Sequence, residues 1–148
     1  MTEDRVNEIV DALTKSLQAR DYDRFVSFFA EDAVFEIPFT VDGGTVLKGL
    51  AAIKEHFEGV RRSPVLKLIE LESVSPVVHH CAADGTATVE YFSKGRAVGT
   101  GQAFEIQSSI AVIRFDGHSI VHYKDIPNTL GLAKKAGVLA QLAASWSR

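Results

Sequence analysis

Three side chains in this sequence pair proton chemistry with a spacing that could assemble it: Asp125, Tyr123 and Glu36. Tyr123 and Asp125 stand two apart in a β-branched and aromatic run, so strand alternation puts a phenol and a carboxylate on one face. In an apolar setting, desolvation raises a carboxyl pKa toward neutrality and turns the group into a base able to take a carbon-bound proton. The phenol can then donate a hydrogen bond to the same ligand. Each residue also has a plainer reading. Asp125 lies just ahead of Pro127 and a C-terminal helix, where an aspartate caps free backbone N–H groups. Tyr123 could pack at a dimer interface, and Glu36 could lie at a solvated strand edge.

Other reactive residue types carry less. His79 and His80 are adjacent at a strand end, so their rings point to opposite faces and do not converge on a metal. His122 falls on the face opposite Tyr123 and Asp125. His56 and His118 read as surface groups, and Cys81, near the Asp84-Gly85 turn, as an unreactive thiol. Neither a Gly-rich phosphate loop nor a zinc-ligand spacing is present, so neither cofactor nor metal is expected.

The totals narrow the class. A formal net charge of −3 over 148 residues, with Arg61-Arg62 the only adjacent arginine pair, gives no footprint for nucleic acid. One cysteine allows no intrachain disulfide. No apolar run approaches the roughly 18 residues of a membrane helix, and Met1–Arg5 lacks the pattern of a signal peptide. A cytoplasmic protein is the natural expectation.

The elements that must position these groups follow from periodicity. Val6, Ile9, Val10, Leu13 and Leu17 recur at helical spacing behind a Thr2 or Asp4 cap. Asp21 or Asp23 caps a second short helix with Phe25, Phe28 and Phe29 on its apolar side. Ala33–Phe39 reads as a strand, Asp42-Gly43-Gly44 as a loop, and Leu50, Ile53, Phe57 and Val60 mark a third helix. Val65–His79, Thr86–Val98, Gln102–Phe115 and His118–Ile126 then read as strands. They are separated by Asp84-Gly85, Gly99-Thr100-Gly101 and Asp116-Gly117, turns short enough for an antiparallel meander. After Asn128 one helix carries Leu132, Ala136, Leu139, Leu142 and Trp146. The expected fold is α+β: a strongly curved antiparallel sheet closing into a cone-shaped barrel. N-terminal helices cover its concave face and a C-terminal helix follows, all in one domain, 1–148. Long coiled strands under helices leave an apolar hollow.

The runs Leu17–Asp23 and Phe28–Val34, then Lys48–Ile53, then Phe115–Ile120 with Tyr123-Lys124-Asp125, resemble in order the SnoaL-like, ketosteroid isomerase-like branch of the nuclear transport factor 2-like superfamily. The resemblance spans nearly the whole chain and speaks for fold more than function. Steroid isomerases of this kind would need a carboxylate before the first-strand proline, a first-helix tyrosine and a late aspartate. Here Ile37, Leu13 and Ala111 stand there, with Glu36 one residue displaced. Limonene-epoxide hydrolases would match Asp125 and Tyr123, but their arginine–aspartate pair falls near Tyr91 and Ser93, and Val34 replaces their tyrosine. SnoaL-type polyketide cyclases match best at the tail, Asp125 followed by Leu130-Gly131-Leu132, and imply that Asp125 is the base.

The expectation is therefore an isomerase, cyclase or hydrolase acting on a hydrophobic cyclic or polyketide-like small molecule without a cofactor. Asp125 would be the base, Tyr123 its hydrogen-bonding partner and Glu36 a second polar group in the pocket. A non-catalytic binder of a hydrophobic ligand is the rival. A homodimer through the outer sheet face, where Ile106, Ile110 and Val112 alternate, is also expected.

Overall fold

Helix α1 (Glu3–Ala19) begins where the Thr2 hydroxyl accepts the Arg5 N–H at 3.2 Å, with Glu3 and Asp4 complementing the helix dipole. It buries Val6, Ile9, Val10 and Leu13, each worth about 1.5–3 kcal/mol when removed from water. The chain turns at Arg20 into α2 (Tyr22–Val26), which Asp21 caps. The computed structural model describes residues 2–81 and 83–147.

The remaining elements are β1 (Phe29–Ile37), β2 (Thr45–Lys48), α3 (Leu50–Arg61) and a 3₁₀ turn (Pro64–Leu68). After them come β3 (Ile69–Cys81), β4 (Thr86–Ala97), β5 (Ala103–Asp116), β6 (Ser119–Pro127), α4 (Thr129–Ala136) and α5 (Leu139–Trp146). The six strands form one sheet in the order β2-β1-β6-β5-β4-β3. All neighbours are antiparallel except β1 and β6, which run parallel. That pair corrects the expectation of a wholly antiparallel sheet: β1 comes from outside the meander and joins its last strand.

Register shifts at Leu71/Ser73, Tyr91/Phe92 and Arg114/Phe115 bend the long strands, since each extra residue increases local twist. The sheet curls into a cone, with α1 laid over β3 and β4 and α3 over β1. Between them lies a core that includes Leu13, Phe25, Phe35, Ile53, Val89 and Ile113. Close approach at the bend requires a glycine: a Cβ on Gly95 would sit 2.3 Å from the Glu70 carbonyl oxygen.

Other departures have local causes. Phe29 belongs to β1 rather than to the second helix, which ends at Val26. Strand β2 has only four residues, too few for alternation to mark it. Val65–Leu68 forms the 3₁₀ turn because Pro64 sets its first φ. The single C-terminal helix is two helices, broken at Gly137, whose φ of 78° is the left-handed conformation glycine adopts freely.

Candidate active site

Beneath the helices the sheet encloses a cavity of about 300 Å³. Phe25, Phe35, Phe57, Val60, Leu66 and Val74 make much of its wall apolar, and Asp125, Tyr123 and Tyr91 supply the reactive groups. Asp125 pairs in register with Ala111, on the inward face of β6. Its carboxyl opens onto the cavity, and desolvation by the surrounding walls raises its pKa from 3.8 to about 7. The cap alternative is excluded. Asn128 caps α4, its side-chain oxygen accepting the Gly131 N–H at 3.0 Å.

Tyr123 shares that face, as alternation requires. It is 3% exposed, and its ring stacks on Phe35 at 5.0 Å with only 5° between planes. Burial raises its pKa well above 10.0. Glu36 goes elsewhere. In register Phe35 lies beside Tyr123, so Glu36 turns to the outer face, where its carboxylate meets His122 Nε2 at 2.5 Å. Asp125 and Tyr123 are brought together, and Glu36 is not.

Tyr91 escaped the sequence reading. It is 1% exposed and lines the cavity, and its hydroxyl is buried beside that of Tyr123. Burial pushes its pKa up to about 12, opposed by a hydrogen bond from the Tyr123 hydroxyl and helped by the charge of Asp125. Both phenols therefore stay protonated at neutral pH and remain donors. The signal was present: Ala87, Val89, Tyr91 and Ser93 alternate toward one face of β4. Ser93 Oγ donates to Ser108 Oγ at 2.8 Å, and Ser108 Oγ donates to the Tyr91 carbonyl at 3.2 Å. This serine pair exists because the bulge opposite Tyr91 and Phe92 makes Ser108 the extra residue of β5.

His56 also corrects its reading as a surface group. It is half-buried on α3, 5.8 Å from the Phe35 ring, and lines the cavity. Burial lowers its pKa, so the ring is neutral at pH 7. Asp125 and His56 also line a wider groove bounded by Phe39, Leu130, Leu142 and Trp146, which gives the carboxyl a second outlook toward solvent. Among the described residues, no group of three His, Cys, Asp or Glu side chains could hold a metal ion.

A helix-covered, cone-shaped sheet around an apolar cavity is the architecture of the nuclear transport factor 2-like class. Residues 10–123 match the SnoaL-like domain, and the chain belongs to that family. No protein of curated function matches it significantly. Among solved structures, a proposed isomerase from Bacillus subtilis is 28% identical, with 93% of this chain and 97% of that one covered and a TM-score of 0.74. A proposed polyketide cyclase from Xanthomonas campestris pv. campestris is 17% identical, with coverage of 90% and 97% and a TM-score of 0.65. A hypothetical protein with a ketosteroid isomerase-like fold from Catenulispora acidiphila, in complex with trimethylamine, is also 17% identical, with coverage of 90% and 95% and a TM-score of 0.66. The last two likenesses establish the fold alone. It is the architecture of small-molecule isomerases and cyclases. Among the described residues no helix is long and apolar enough to cross a membrane.

Proposed function

We propose that the protein is a cofactor-independent acid–base enzyme of isomerase or cyclase type, acting on a hydrophobic, cyclic or polyketide-like ligand. One observation carries this reading: a carboxyl group titrating at about 7 in an apolar cavity that it shares with two neutral phenols. Such a carboxylate is basic enough to remove a proton from carbon beside a carbonyl. The C–H electron pair passes into an enolate, and Tyr123 and Tyr91 donate hydrogen bonds to the oxygen as charge develops on it. Return of the proton at another carbon isomerises the ligand. Attack of the enolate carbon on a second carbonyl closes a ring, and the alkoxide formed takes back the proton held by Asp125. The isomerase and cyclase names proposed for two of the structural neighbours agree with this chemistry.

The test needs no knowledge of the natural substrate. β-Tetralone, small enough for the cavity, is incubated in D₂O and exchange of its C1 hydrogens is followed by NMR. The protein accelerates exchange, and the rate rises with pH through about 7 as Asp125 ionises. Asp125→Asn lowers the enzymatic rate by about 10²–10⁴-fold. An unchanged rate in that variant would remove Asp125 from the chemistry. Binding of the ketone without any acceleration would instead favour a non-catalytic carrier.

A further inference from the structure

The cavity holds one cation that the acid–base reading does not use. Arg20 is half-buried at the corner between α1 and α2 and lines the cavity with Leu17, Tyr22 and Leu71. Its backbone is left-handed, φ 56°, and among the described residues it is the only non-glycine with positive φ. Glycine is the default at this place after a helix, so a long cationic side chain sits there against the backbone's preference.

The guanidinium is only partly occupied. One terminal nitrogen donates to the Ile69 carbonyl oxygen at 2.5 Å, while the group has five N–H donors in all. Among the described residues no carboxylate forms an ion pair with it. Glu70 and Lys67 lie with Arg20 along a shallow cleft on the outer side of the same corner, so the side chain stands between that cleft and the interior. Inside, the other charged group is Asp125, since His56 is neutral. The Tyr22 phenol, raised by burial and pulled back by the charge of Arg20, is a second donor at this end.

Asp125 is on β6, and Arg20 is bonded to the start of β3, with β5 and β4 between. Three strand steps amount to about 14 Å along the sheet. The reacting centre and the cation therefore stand on separate strands that line one cavity.

We propose that Arg20 makes the cavity selective for an apolar ligand bearing a carboxylate, which docks on the guanidinium while its reacting carbon lies beside Asp125. This rests on the acid–base reading only for the place of the reacting carbon. An anion there forms charge-assisted, fork-like hydrogen bonds and neutralises a charge held in apolar surroundings.

The test is a matched pair of probes, 2-naphthoate and 2-naphthamide, titrated by calorimetry at pH 6, where Asp125 keeps its proton and the naphthoate is ionised. The protein binds the naphthoate at least about tenfold more tightly, the scale of a hydrogen bond to a charged group. Arg20→Gln removes that preference and leaves naphthamide affinity within about twofold. Arg20→Lys is the gentler variant: it keeps the charge and so retains a weaker preference of the same sign. Equal affinities in the unaltered protein, an undiminished preference in Arg20→Gln, or no preference in Arg20→Lys would overturn the proposal while leaving the cavity reading intact. Failure of both probes to bind would overturn the proposal and the cavity reading together.

Discussion

The Tyr91 hydroxyl is buried beside that of Tyr123, which donates to it. Tyr91→Phe should slow ketone exchange by roughly tenfold or more, because a donor to the enolate oxygen is lost, and should cost about 1 kcal/mol of stability, the scale of one hydrogen bond. An exchange rate left unchanged, followed by NMR, would remove Tyr91 from the chemistry. Asp125 makes a parallel prediction with a definite sign. Its pKa is higher folded than unfolded, so the folded state holds the proton more tightly and stability falls as pH rises from about 4 to about 7. The full gap is worth about 4 kcal/mol, less whatever cavity water restores. Asp125→Asn should melt higher than the parent at pH 8 and level with it below pH 4. The Tyr123–Asp125 face was legible because alternation holds to the end of β6. Tyr91 carries no charge and sits among β-branched and aromatic neighbours of β4 that read as plain core, and Glu36 faces outward because Phe35, beside Tyr123, takes the inward side of β1.

Among the elements, the bends do more to shape the site than the straight runs. Gly95 lies opposite Leu71 at the first bulge of β3, where the Glu70 carbonyl leaves no room for a side chain. Gly95→Ala should cost about 1–3 kcal/mol, the range of an overpacked interior site, and chemical denaturation would measure it. A cost near zero would show that β3 can slide outward. The bulge in β5 has a less visible effect. Numbering places Ile106 and Ile110 on one face, but the extra residue reverses the alternation: Ile106 pairs with buried Ser93 and Ile110 with outward Glu90. A period of two carries no mark of such a shift. The helices were easier, since α1 and α3 repeat their apolar positions over 17 and 12 residues, enough turns to define a face.

At the scale of the molecule, helices over a curled sheet followed from the order of the patterns, and an apolar hollow from strand length and phenylalanine content. The parallel joint between β1 and β6 did not, because pairing between distant segments leaves no local signature. Pairing of two copies through the outer sheet face stays a proposal, now centred on Ile110, Val112 and Ile126 with Phe92 37% and Val77 44% exposed. Polar side chains on that face already bond one another, Glu36 with His122 and Glu90 with His79 and Gln107, so covering them strands few groups. Light scattering should report a dimer, and Ile110→Glu a monomer; a monomeric parent protein would end the proposal.

The break at Gly137 leaves α5 without a buried residue and packed chiefly on α4. That short helix carries the chain's only tryptophan, at the rim of the groove overlooking Asp125. An indole so placed senses the polarity of its neighbourhood, and its emission colour follows whatever fills or leaves the vestibule. The molecule is furnished with an optical gauge at the doorstep of its acid.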